Sequence, residues 1–287
     1  MVLGDIIMIT VKRLKSLDIS SVTIMATTIS LIFSIIIISI IMLVVFGAIS
    51  LNNIAIMAFI IPTLIFGTLI VSVYRNFIES WLYNLISKKT SIVFSIEEDG
   101  TVTNISTVST ALIIAIITTV MALIEYMVIL FLGQLTLSAM VQTFMMTGQQ
   151  LIAMQLYNLL LVVSNPLYVI GLIVGGFIIS FIYVLIGTYI YNLIAGNNYG
   201  AKLNIKENSS LESIDVKSFA ISISIIYLVL GLISGILSAI TTGNYLEIAI
   251  TPIMTFILGF IVTAIIAWLY NVLAPKVGQI KFELIDE

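Results

Sequence analysis

Long apolar runs separated by short polar stretches set the pattern of this chain. Six of them, near 22–49, 54–84, 108–132, 166–194, 219–241 and 248–272, stay almost free of charge over the roughly 20 residues that a helix needs to cross a bilayer. They predict six transmembrane helices. After the second, fourth and sixth runs the period shortens to two, in "IVFSI" (92–96), "AKLNI" (201–205) and "IKFEL" (280–284), the pattern of half-buried strands. "DIIMIT" (5–10), ahead of the first run, is a fourth strand candidate. Short strands are marginal alone in water, so pairing into one small sheet of up to four strands is expected.

The polar stretches before runs one, three and five read "LKSLDISS" (14–21), "VTNISTVS" (102–109) and "LESIDVKS" (211–218). Asp18, Ser106 and Asp215 stand where a helix begins, with a side-chain oxygen suited to the exposed N–H groups of the first turn. Ser21, Ser109 and Ser218 follow in the position of a capping-box partner. The second helix of each pair carries a proline towards its outer end (Pro62, Pro166, Pro252) and closes on "WLYN" (81–84), "YIYN" (189–192) or "WLYN" (268–271). The expected fold is an all-α polytopic membrane protein, one membrane domain over 1–287. Its six transmembrane helices form three parallel two-helix repeats (11–97, 98–206, 207–287) with short cytoplasmic β-strands. The second repeat is longer by the uncharged segment 133–165, which holds five Gln and four Met. That segment is expected on the outer face, as an interfacial amphipathic helix, a helical hairpin or a re-entrant pair.

Composition agrees with this pattern, at 61% hydrophobic and 9% charged residues. Charge placement orients it. All eleven Lys and Arg lie at 12–15, 75, 88–89, 202–217 and 276–281, and none lies between the members of a helix pair. The positive-inside rule then puts both termini in the cytoplasm of a multi-pass cell-membrane protein. The first run is too long for the core of a cleavable signal. Cysteine and histidine are both absent, which removes disulfides, thiolate metal sites and the commonest general base. No phosphate-binding loop, dinucleotide fingerprint or HExxH occurs. Neither catalytic residues, metal nor cofactor is expected, and no nucleic-acid partner. The expected partners are the lipid bilayer and a membrane-protein partner or a second copy of the chain.

Three groups of side chains are candidates for function. Trp81, Tyr83, Tyr189, Tyr191, Trp268 and Tyr270 sit at the cytoplasmic helix ends, where amphipathic rings rest at headgroup depth. Asn84, Asn192 and Asn271 either hydrogen-bond a neighbouring helix or the chain leading into the strand, or line a vestibule about a pseudo-threefold axis. Arg75 and Glu79 read as an i,i+4 pair with a snorkelling arginine, or as a functional intramembrane pair. Glu125, deep in the third run, is either protonated or bonded to nearby polar groups, or it is a cation or proton site. "GLIVG" (171–175) and "GLISG" (231–235) allow close helix approach. The acidic triplet Glu97, Glu98, Asp99 reads as a solvated turn, and the glycosylation patterns at 104–106 and 208–210 fall on the cytoplasmic side.

The Tyr-Asn helix ends, the strand that follows and the "LESIDVKS" entry resemble an uncharacterised family of small prokaryotic membrane domains, over Tyr191–Ser218 and Tyr270–Leu284. Where that family has a double-glycine turn, this chain has Val277-Gly278 and Tyr199-Gly200. The resemblance implies architecture and no activity. The expected function is therefore a non-enzymatic structural or regulatory component of a membrane complex. The alternative is a transporter or channel for a neutral or lipid-like small molecule.

Overall fold

A computed structural model describes residues 9–48, 54–128, 130, 133–146, 148–206 and 209–287. Positions 5–8 of the first strand candidate, the turn near 50–53, the end of the third run at 129 and 131–132, and Asn208 of the second glycosylation pattern lie outside the described residues. The chain is mostly helical: α1 (Ile19–Ala48), α2 (Ile54–Ile86), α3 (Thr107–Val128), α4 (Gln134–Met146), α5 (Gln150–Ser164), α6 (Pro166–Ile194), α7 (Val216–Thr242) and α8 (Glu247–Val277). Six helices, all but α4 and α5, are long and apolar enough to cross a membrane. Pro166 opens α6, where its missing N–H costs no bond, whereas Pro62 and Pro252 lie inside α2 and α8.

Contacts divide the molecule into two compact units, one from the described residues of Met1–Thr110 with Ile186–Glu287, the other Ala111–Leu185. The first unit contains all the described strands: β1 (Ile9–Leu17), β2 (Val93–Glu97), β3 (Val102–Ile105), β4 (Leu203–Lys206), β5 (Ser210–Ile214) and β6 (Phe282–Asp286). Among the described residues there are six, two more than the pattern predicts, and the additions have a common origin. β3 and β5 occupy the segments read only as helix entries, and β1 runs on through Leu14 to Leu17. The apolar residues in those entries are three apart (Leu14/Leu17, Val102/Ile105, Leu211/Ile214), a spacing that hides a strand. Register shifts at Leu14/Ser16, Ser95/Ile96 and Asn204/Ile205 break the strict alternation.

Four strands form an antiparallel sheet in the order β3-β2-β1-β6, and β4 and β5 form an antiparallel pair. Two narrow joints close these pieces into a ring. Thr101 bridges Lys202, flanked by Val102 N–H to Ala201 O and Leu203 N–H to Gly100 O, both 2.9 Å. Ser210 bridges Lys281, flanked by Leu211 N–H to Ile280 O and Phe282 N–H to Ser209 O, both 2.9 Å. Every strand thereby has two neighbours, and β1 is held between strands from opposite ends of the chain. Closure matters because an open sheet edge is a template for unwanted pairing.

Beside the ring, Met25 of α1 packs with Ile214, Ala267, Tyr270, Leu273 and Ala274 in one buried cluster. α7 and α8 approach closely through glycine. A Cβ on Gly231 would lie 2.0 Å from Thr255 Oγ1, and one on Gly235 would lie 2.5 Å from the Glu247 carbonyl. The packing reading of "GLISG" therefore applies here, while Gly171 and Gly175 of "GLIVG" face open space. In the second unit, α4 and α5 form a hairpin, one of the forms expected for 133–165. Gly148 turns the chain at φ +76°. Gln149 N–H reaches Phe144 O at 2.9 Å, and Gly148 N–H reaches Met145 O at 3.2 Å, a Schellman closure. Gln134 Nε2 to Ser164 Oγ, 3.3 Å, ties the open end of the hairpin.

Candidate functional site

The repeated aromatic-Asn phrase divides into an outward and an inward half. Trp81, Tyr189 and Trp268 are 46%, 60% and 55% exposed, whereas Tyr83, Tyr191 and Tyr270 are 4%, 4% and 2% exposed. Residues two apart on a helix point about 200° from one another, so one ring of each pair faces out when the other faces in. The belt position suits the first ring of each pair. The second is buried against the ring of strands.

Each inward tyrosine and its asparagine grip a strand that leads into a helix: β1 before α1, β3 before α3 and β5 before α7. Asn84 accepts from Leu17 N–H and donates to Leu17 O, both at 2.8 Å. Asn192 does the same with Ile105 at 2.8 and 2.9 Å, and Asn271 with Ile214 at 2.8 and 2.7 Å. A side-chain amide here extends the ladder, because its C=O and N–H match a backbone pair. Three residues earlier in each strand, the Tyr83 and Tyr191 hydroxyls donate to Leu14 O and Val102 O at 2.7 Å, and Tyr270 to Leu211 O. Tyr191 and Tyr270 also accept from Ala201 N–H and Ile280 N–H, at 3.1 and 3.3 Å. Each of these two phenols thus ties one strand, and the segment leading into the next strand, to one helix.

The helix entries carry a second set of bonds. Asp18 and Asp215 accept from Ser21 N–H and Ser218 N–H at 2.7 Å, which completes the predicted caps. These N–H groups hold both carboxyls below the ordinary aspartate range. The Ser21 and Ser218 hydroxyls in turn accept from Lys281 N–H (2.9 Å) and Lys202 N–H (3.0 Å). At the third entry the roles shift. Ser106 Oγ itself accepts from Val93 N–H at 3.0 Å, and Ser106 N–H donates to Val93 O at 2.8 Å. Ser106 thus ties the strand β2 to the start of α3, where Asp18 and Asp215 bind N–H groups of their own helices.

Arg75 and Glu79 meet at 2.7 Å as an i,i+4 pair on an exposed face of α2. Glu125 is exposed on α3. Next to it, the buried Tyr126 hydroxyl has no hydrogen-bond partner among the described residues.

A cavity of about 710 Å³ opens at the ring, lined by Thr10 and Lys12 of β1, the Glu97–Gly100 turn, Lys202, Ser213, Asp215 and Asn271 among others. Lys12 pairs with Asp286, and Lys202 with Asp99 at 2.6 Å. The Lys202 ammonium and the Thr101 hydrogen bonds pull the Asp99 carboxyl down to about 2, and Asp99 raises Lys202 in return. Part of the acidic turn is therefore an ion-paired joint as well as a solvated loop. Asn271 lines this cavity, and Asn84 lines a separate one of about 420 Å³. Among the described residues no three acidic side chains gather as a metal site. No protein-family model, curated protein or solved structure matches this chain.

Proposed function

We propose that this chain is a non-enzymatic, six-span membrane protein that serves as a structural or regulatory component of a membrane complex. The observation that carries the reading is the use made of the Tyr-Asn phrase. It recurs three times in the sequence, and its asparagines bond backbone at all three sites. Those polar atoms build a frame. The three equivalent grips favour three parallel repeats, each strand-helix-helix-strand, with the α4–α5 hairpin inserted in the second. Ring closure supports the same scheme, since β6 of the last repeat meets β1 of the first as β2 meets β3 and β4 meets β5. On this reading the ring and both termini are cytoplasmic, on the side of the basic residues, and the α7–α8 turn is external.

The absence of native cysteine makes the topology directly testable. A cysteine at Asn244 in intact cells should react with a membrane-impermeant maleimide, and one at Glu98 only after permeabilisation. Native mass spectrometry from mild detergent tests the complex. A bound protein partner or second copy is expected, and a lone monomer overturns the assembly reading.

The polar cavity in the ring supports a second reading, a transporter or channel for a neutral or lipid-like small molecule through a pseudo-threefold bundle. Cysteines at Thr10 and Ser213, which line the cavity, would then react from both sides of the membrane. Reaction from the cytoplasmic side alone leaves the frame reading in place.

A further inference from the structure

We propose that the smaller cavity binds the phosphate of an anionic phospholipid headgroup. Arg13, Lys15 and Lys88 converge on it with the hydroxyls of Ser16, Ser87 and Ser91, and no carboxylate lines it. Three cations match a phosphate in charge, and about 420 Å³ leaves room for the rest of a headgroup. Ser16 Oγ donates to Glu283 Oε2 and Ser87 Oγ to Asn84 O, both at 3.3 Å, while Ser91 Oγ, which accepts from Arg13, keeps its own proton to donate. The guanidinium is held in place. Its Nε–H donates to Ser91 Oγ, and Ser91 is itself 4% exposed. That bond uses one of five guanidinium N–H donors and leaves the fork available for two phosphate oxygens. Lys88 is exposed and has no hydrogen-bond or ion-pair partner among the described residues. Lys15 pairs with Glu283 at 2.7 Å, but both side chains are about half exposed, and such pairs exchange partners at little cost.

Position along the chain favours a lipid over a soluble anion. Ser87 and Lys88 directly follow the candidate span Ile61–Ile86, and Ser16 lies three residues before the span Ile19–Ile40. Two span ends thus place the cavity at headgroup depth. Trp81, exposed about two helical turns before Lys88, marks the same interface from the hydrocarbon side. Basic pockets at the inner ends of membrane helices bind acidic headgroups by this chemistry. The inference rests on the membrane reading above.

The test uses the full chain in nanodiscs of phosphatidylcholine mixed with phosphatidylglycerol, with retained lipid read by native mass spectrometry. The wild type should keep one phosphatidylglycerol in preference to phosphatidylcholine. Lys88→Gln should weaken retention about fivefold, as expected for one lysine at a charged surface. Arg13→Lys, which keeps charge but loses the fork, should weaken it as well. Lys276→Gln, a basic residue of α8 outside the cavity, is the control and should change nothing. Because Arg13 also holds Ser91, melting in pure phosphatidylcholine checks that its variant is folded; Lys88→Gln breaks no internal bond and carries the test alone if it is not. Equal loss in Lys276→Gln, or no loss in Lys88→Gln, overturns the site. Displacement of the lipid by millimolar inorganic phosphate, with equal stabilisation in phosphatidylcholine discs, assigns the cavity to a soluble anion and overturns the lipid assignment. Failure to enter nanodiscs at all would overturn the membrane reading instead, so the two failures are distinguishable.

Discussion

The amide of Asn271 serves one backbone N–H and one backbone C=O of the same residue, Ile214, and no other residue type of its size does both. Asn271→Asp keeps the acceptor, removes the donor and sets a carboxylate against a carbonyl. Asn271→Ala leaves both backbone groups without their partner. Each orphaned group costs about 1–3 kcal/mol, so both variants should lower the melting temperature in detergent, and the same changes at Asn84 and Asn192 should act alike. Tyr270→Phe removes a hydroxyl that bonds Leu211 and Ile280. It should cost about as much, whereas Trp268→Phe on the outward face should leave melting within about 0.5 kcal/mol. Equal effects at 268 and 270 would contradict the division into outward and inward rings. The sequence marked these residues by their repetition. It did not show their partner, because that partner is backbone and carries no residue identity. Acid stability belongs to the same scale. Asp18, Asp99 and Asp215 have lowered native pKa values, so their contribution is complete above the unfolded value of about 3.9 and is lost as pH falls through the native ones. For Asp99 that window runs from about 4 down to about 2. Melting followed from pH 7 to pH 3 should be flat in these terms until about pH 4, and Asp99→Asn should flatten the fall below it.

Helices and strands differ in how plainly the sequence announces them. The six long helices are legible because about 20 uncharged apolar residues in a row have few alternatives. Two of the six described strands, β3 and β5, and the second half of β1 were not, since bulged pairing puts inward side chains three residues apart and copies the spacing of a helix entry. The glycine motifs show a related limit. "GLIVG" and "GLISG" are the same pattern, yet only the second meets a neighbour, and nothing in five residues records what lies opposite. The difference predicts opposite outcomes. Gly235→Val would drive a side chain into the Glu247 backbone, which side-chain rotation cannot relieve, at about 1–3 kcal/mol or more. Gly175→Val, with nothing within 4 Å, should be tolerated. Thermal melting of the two variants in one detergent checks the contrast, and comparable losses would contradict the close approach of α7 to α8.

On the scale of the whole first unit, what joins the ends of the sequence is the pairing of β1 with β6. Local pattern could not reveal it, because Lys12 and Asp286 are 274 residues apart. Along this seam Lys12 pairs with Asp286 and Lys15 with Glu283, and the backbone ladder runs from Leu17↔Phe282 to Lys12↔Asp286. The cap at Asp18 is tied to it too, through Asp18 N–H to Lys281 O at 2.9 Å and Lys281 N–H to Ser21 Oγ. Removal of residues 279–287 would therefore open the ring at two places, leaving β1 and β5 each with an unpaired edge. It would also take Ile280 N–H from the Tyr270 hydroxyl. The loss should exceed that of any single asparagine change, and the exposed edges should promote association between copies. Since α8 ends at Val277, the truncated chain keeps its six long helices, so the effect is specific to the ring. A synthetic peptide of 279–287 added to that chain should restore melting by adding back the missing strand, as extended segments do at open sheet edges. A peptide with Leu284, 8% exposed in the intact ring, replaced by Asp should not. Unchanged melting on truncation would mean that the helices hold the unit without the ring, and the termini would then lose the structural role the β1–β6 seam assigns them.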